Sequence, residues 1–194
     1  MKWLRNAHLV NTFIQKNAPT LLLYTPVIVD GPFAKWGIDF MHCKPTSAEG
    51  HGYIIVAMDY FTKWAEAMPT YVEDCKISTL FLFNHIIARF GVLQSIITDH
   101  GSHFRNQMME ELSAELGFRH ENSTPYYPQA NGQVEAINKV FKTMLFRMVG
   151  DHKSNWHHVL FSTLWAYQTS VKIAIGFTPF QLVYGLEAVL PIQC

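Results

Sequence analysis

Cysteine is scarce in this sequence and follows no pattern. Cys43, Cys75 and Cys194 are three in 194 residues, an odd number without a CxxC spacing. A disulfide framework is therefore excluded as the organising principle, and a reducing, intracellular setting fits. Long apolar runs are missing as well. The stretch Tyr53–Met58 is far short of the roughly twenty residues that a membrane helix needs. Residues 21–29 are apolar, but they come late, contain Pro26 and lack a small-residue cleavage site, so they do not read as a signal peptide. Net charge is absent too, because 15 Lys and Arg balance 15 Asp and Glu. That balance excludes a binder that relies on overall positive charge, though not an enzyme whose polyanion contacts lie in one cleft. There is no internal repeat and no low-complexity segment.

What is present is a chain rich enough in apolar residues, 49% of the total, to build one domain with a real core. Residues 1–30 show little pattern beyond a weak helical signal over Met1–Gln15, and they read as an extended arm. From there the periodicity predicts strands over Trp36–Met41, Tyr53–Asp59 and Trp64–Pro69, joined as an antiparallel meander. A helix over Asp74–Phe90 follows, apolar almost all round (Leu80, Phe81, Phe83, Ile86, Ile87) and so expected to be buried on more than one side. Next come a strand over Ser95–Thr98, a helix over Asn106–Leu116, a strand over Phe118–Glu121, a loop over Asn122–Gly132 and a long helix over Gln133–Val149. Ser154 is the expected N-cap of a helix reaching Gln168, and a short helix ends at Gly185. The order predicts an α/β domain: a mixed five-stranded sheet, three antiparallel strands plus two further ones, flanked by helices, as in RNase H-like folds. Trp36, Trp64, Trp156 and Trp165 fall in apolar periodic segments and read as core. The pair His157–His158 has no cysteine partners and reads as surface or interface packing.

Three carboxylates stand out. Asp39 sits mid-strand between Ile38 and Phe40, where an unpaired charge is costly to bury. Asp99 follows an apolar strand at its end, where sites collect in α/β sheets. Glu135 lies near the start of the long helix. Each has an ordinary alternative: an edge-strand residue facing solvent, a turn former, a first-turn acid favoured by the helix dipole. Together, on three elements, they could hold divalent cations through oxygen ligands, and magnesium suits such a set. Two ions could then serve an in-line displacement at phosphorus. On the long helix Val134, Ile137, Phe141, Leu145 and Met148 form the expected core stripe. Glu135, Asn138, Lys139 and Lys142 share the adjacent face, where the lysines could hold phosphates or Glu135 and Lys139 could form an i,i+4 ion pair.

Five motifs then occur in order: WGIDF (36–40), VAMDYFTKWAEAMP (56–69), ITDHGSHF (97–104), STPYYPQANGQVEAINK (123–139), and WHHVLFSTLWAYQTS with GFTPFQLVYGLEAVLP (156–191). With 35 residues between Asp99 and Glu135, the chain resembles the catalytic core of retroviral-type integrases, specifically those of gypsy-type LTR retrotransposons. The resemblance implies an RNase H-like core over residues 31–191 with a short tail, 192–194. It implies catalytic metal ligands at Asp39, Asp99 and Glu135, holding two Mg2+ or Mn2+ ions. It implies that element DNA ends are hydrolysed and then joined to target DNA, in the nucleus, by a homodimer or higher oligomer without membrane association. Tyr126–Gly132 matches the family's mobile active-site loop, and Tyr126, Asn131, Gln133, Asn138, Lys139 and Lys142 fall where DNA contacts are expected.

The sequence also departs from the family. His100 stands where Asn is usual, and His42–Cys43 where Gly-Pro is frequent. The His pair and CxxC of an amino-terminal zinc module are missing from residues 1–22, so no structural zinc is expected in this chain and residues 1–30 read as a remnant of an upstream region. A fragment of an element is the expectation. A degenerate or co-opted core that binds nucleic acid without chemistry is the alternative reading, and a nuclease acting on RNA–DNA hybrids is a weaker third.

Overall fold

The computed structural model describes residues 29–99, 101–122 and 129–189. The arm over residues 1–28, His100, Tyr126 and the tail 190–194 lie outside them. Five strands form one sheet: β1 (Lys35–His42), β2 (Tyr53–Asp59), β3 (Ala65–Thr70), β4 (Ser95–Thr98) and β5 (Arg119–Asn122), in the order β3-β2-β1-β4-β5. β1–β2 and β2–β3 pair antiparallel, while β4 lies parallel to both β1 and β5. The predicted meander and the mixed character of the sheet are both present, and β1 is the central strand.

Helices cover both faces. On one side α1 (Cys75–Phe81) runs on through a π-helical segment (Leu82–Ile87) into a last turn (Ala88–Phe90), and α2 (Gln107–Leu116) lies beside it. Asp74 caps α1 through the Lys76 amide and Asn106 caps α2 through the Met109 amide, which satisfies amides that have no partner within the helix. On the other side lie α3 (Gln129–Val149) and α4 (Trp156–Thr169), followed by the short α5 (Pro179–Tyr184).

Alternation along β1 and β2 distributes the core between these layers. Trp36, Ile38, Ile55 and Ala57 face α1 and α2, where they meet Phe81, Leu82, Ile86 and Met109. Met41, Ile54 and Val56 face α3 and α4, where they meet Phe141, Leu145, Trp156 and Leu160. Each such fully buried large side chain contributes about 1.5–3 kcal/mol from apolar burial. Gly37 sets how closely α3 approaches β1. A Cβ there would stand 2.2 Å from Val134 Cγ2, so only glycine lets the helix lie this near the strand.

Several expectations need correction. α3 begins at Gln129, so Asn131 and Gly132 belong to the helix backbone and not to a loop. α1 is buried on one side only: Leu80 is 47% and Phe83 46% exposed, because the sheet covers a single face of that helix. Met148 (46% exposed) and Trp165 (38%) also lie away from the core, since α3 runs past the sheet edge and α4 turns Trp165 toward Phe180 of α5. Ser154 is not a cap but part of a 3-10 turn, Lys153–Asn155, that leads into α4.

Candidate active site

Asp39 projects from the central strand toward α3, on the same face as Gly37. Register explains its neighbours. Gly37 of β1 pairs with Ile97 of the parallel β4, so two residues further along each chain brings Asp39 and Asp99 abreast on one face. Asp99 follows the last residue of β4 and accepts the Gly101 amide at 2.9 Å. This turn is tight: a Cβ on Gly101 would fall 2.9 Å from Asp99 Oδ1 and 2.2 Å from His103 Cε1. From above, α3 brings the third carboxylate. Val134 packs on Gly37, and one turn later Asn138 donates from Nδ2 to Asp39 Oδ2 at 2.8 Å. Glu135 stands between these two positions along the helix and is exposed.

The electrostatics agree with that register. Burial, then the charge of Asp99, and more weakly that of Glu135, push the Asp39 carboxyl up to about 7, against hydrogen bonds from the Phe40 amide and Asn138 that favour the ionised form. Burial first, and then like charge nearby, disfavours the ionised form of Asp39, and a divalent cation bound among these carboxylates would favour it. Among the described residues the buried Asn138 Oδ1 also has no hydrogen-bond partner. All the donors are hard oxygens, which fits magnesium or manganese. His103 closes one side, with Nε2 3.6 Å from Asp99 Oδ1 and Nδ1 3.7 Å from Glu73, its ring edge-on to Phe40 at 5.0 Å.

A cleft of about 310 Å³ is lined by Asp39, Glu135, Asn138, Lys139 and Lys142. Lys139 and Lys142 also line a neighbouring groove of about 560 Å³, together with Thr143, Phe146, Arg147 and Lys153. The strip of one helix face thus leads from carboxylates to cations. Among the described residues Glu135 and Lys139 form no ion pair, and Lys142 Nζ reaches the His42 carbonyl at 3.3 Å. Asn138 lines this cleft beside the two lysines, is 8% exposed and donates to Asp39. Arg147 and Lys153 were missed by sequence reasoning: Arg147 lies one turn beyond Thr143, to the side of the strip, and Lys153 in the 3-10 turn after the helix. Asn131 and Gln133 lie in the first turns of α3.

A central β1 flanked by an antiparallel meander and two parallel strands, with helices on both faces, is the RNase H-like architecture. Residues 29–128 match the family described as Integrase core domain, and the chain belongs to that family. It is 34% identical over 175 residues to the Pol polyprotein of radiation murine leukemia virus (strain Kaplan), covering 88% of this chain and 30% of that protein. It is 33% identical over 156 residues to the Gag-Pol polyprotein of feline leukemia virus, covering 79% and 9%. The chain thus spans less than a third of these curated relatives. A simian T-cell lymphotropic virus intasome in complex with PP2A regulatory subunit B56 gamma superposes with a TM-score of 0.73 at 25% identity, covering 91% of this chain and 66% of that one. The HTLV-2 integrase catalytic core domain in complex with magnesium, in a trimeric form, shares the fold with a TM-score of 0.63 at 22% identity, covering 78% and 96%.

Proposed function

We propose that this chain is the catalytic core of a gypsy-type integrase, a metal-dependent polynucleotidyl transferase that trims element DNA ends and joins them to target DNA, acting in the nucleus. The observation that carries the reading is that Asp39 and Glu135 line one cleft with Lys139 and Lys142, with Asp99 at the end of the neighbouring parallel strand and a groove lined by Lys139, Lys142, Arg147 and Lys153 alongside. Asp39, Asp99 and Glu135 would hold two divalent ions, which would stabilise charge on the attacking and leaving oxygens of the phosphodiester. Asn138 fixes the Asp39 carboxylate by its 2.8 Å hydrogen bond. The groove cations hold the backbone of the strand whose end enters the cleft, and phosphate contacts of this kind set position more than sequence. The magnesium in the HTLV-2 core and the assembly of the simian intasome support a metal and an oligomer for this chain also. The domain limits, 31–191 with a flanking arm, are part of the same reading.

Strand transfer with element-end DNA and Mg2+ or Mn2+ tests it. Glu135→Gln and Asp99→Asn should each lower turnover on the order of 10³-fold, the equivalent of several kcal/mol of transition-state stabilisation, with the far-UV spectrum unchanged. Activity retained in either variant overturns the site. A wild-type chain that binds DNA but yields no product with any metal favours the co-opted binding core.

A further inference from the structure

The second cluster of ligand-type side chains lies away from the carboxylates, where the loop between β1 and β2 rests on the start of α4. One ligand atom each from Glu49, His157 and His158 can be chosen so that all lie within 4.8 Å of one another. The loop is already fixed there. The Ala48 amide donates to the Ser154 carbonyl at 2.8 Å, and Trp156 Nε1 donates to the Pro45 carbonyl at 3.1 Å.

His157 is the informative member. Its side chain is 5% exposed, yet among the described residues neither ring nitrogen has a hydrogen-bond partner. Burying an imidazole with both nitrogens unsatisfied is costly. Glu49 Oε1 comes within 3.3 Å of His157 Nε2 without the alignment of a hydrogen bond. That separation matches the edge of a zinc tetrahedron, where two ligands at about 2.0–2.1 Å from the ion stand about 3.4 Å apart. The rings of His157 and His158 lie 3.8 Å apart between centroids, so both can turn a nitrogen toward one point. His51 is near, at 5.5 Å from the His157 ring, but its Nδ1 is engaged by Ser47 Oγ at 3.0 Å and it stays outside the group.

We propose that Glu49, His157 and His158 bind a zinc ion, with water in the fourth position, and that the ion clamps the β1–β2 loop onto α4. Two imidazoles and one carboxylate favour zinc over magnesium, so this site and the carboxylate site differ in the metal they take. The expectation of no structural zinc rested on the missing CxxC module and did not consider a site assembled across 108 residues of sequence, the separation of Glu49 and His157.

Zinc titration of the full chain in millimolar Mg2+, which occupies the carboxylates, tests the proposal. The background variant Asp39→Asn/Glu135→Gln serves as a second arm, so that failure of the proposed activity and failure of this site are separable. About one Zn2+ per chain is expected in both, with a raised Tm, and Co2+ in its place should give the intense visible bands of a four-coordinate ion. Glu49→Gln and His158→Ala, both at exposed positions and so compatible with folding, should each weaken binding about tenfold or more. Absence of zinc binding in the background variant, or binding unchanged by these two substitutions, overturns the site.

Discussion

The two clusters on the α3–α4 side of the sheet are built on opposite principles. Asp39, Asp99 and Glu135 gather negative charge from a central strand, a strand end and a helix, and hydrogen bonds from Asn138 and the Gly101 amide hold two of them in place. Glu49, His157 and His158 set two imidazole rings against one exposed carboxylate, and among the described residues the buried ring has no hydrogen-bond partner. The first is a set of hard oxygen donors of like charge, chemistry that suits a hard dication. The second is a mixed site whose deficit is unsatisfied nitrogen. Donor sets of these two kinds favour different metals, and the groove lined by Lys139 to Lys153 adjoins the carboxylate cleft, with which it shares Lys139 and Lys142.

The difference can be attacked first at Asn138. If the carboxylate cluster depends on an amide to orient Asp39, then Asn138→Leu should lower Mg2+ affinity and strand transfer by about 10–100-fold, as loss of an orienting partner does. Asn138→Asp should not restore either, because it adds a fourth like charge. Zinc binding at the other cluster should be untouched in both variants. An Asn138→Leu enzyme with normal Mg2+ dependence would show that Asp39 is held by packing alone.

A smaller effect separates the clusters by stability. The folded Asp39 carboxyl is raised from 3.8 to about 7, so between these values the native state holds a proton that the unfolded chain has lost. The contribution is complete at low pH and disappears as pH rises through about 7. In EDTA, Asp39→Asn should therefore be more stable than wild type at pH 8, by roughly 1–3 kcal/mol after allowance for screening at a partly exposed site, and the difference should vanish near pH 4. Urea unfolding at the two pH values measures it. Taking the difference between the two proteins cancels the opposite trend from His85 and His120, whose charged forms are disfavoured by burial.

The two clusters also differ in how far a reader of the sequence could see them. The strands were legible because Tyr53–Asp59 and Ser95–Thr98 are apolar runs bounded by turns. Asp39, Asp99 and Glu135 were legible because each interrupts or ends such an element and the motifs fix their spacing. The start of α3 at Gln129 was not, since Asn131–Gly132 carries the chemistry of a turn and tertiary packing overrides it. Nor was the burial of Asn138, which depends on the 2.2 Å constraint at Gly37 bringing the whole helix down onto β1. Glu49 with His157–His158 had no local signal: an acid in a turn-rich loop meets a histidine pair only because Trp156 is anchored on the Pro45 carbonyl.

The smallest effect concerns the groove beside the carboxylate cleft. If DNA phosphates run along it, Arg147→Ala and Lys153→Ala should each reduce the slope of log K against log salt by about 1 and weaken binding to unrelated sequences equally. Both side chains are exposed on the helix face or the turn that follows, so neither change should disturb folding. Lys153 is the sharper case, because it precedes Ser154, whose carbonyl holds Ala48 in the β1–β2 loop. If zinc clamps that loop and thereby shapes the far wall of the groove, adding zinc to the Lys153→Ala chain should leave its reduced slope unchanged while tightening binding at every salt concentration. A slope that recovers with zinc would mean instead that the ion itself neutralises phosphate, and the two clusters would then belong to one continuous DNA-binding surface.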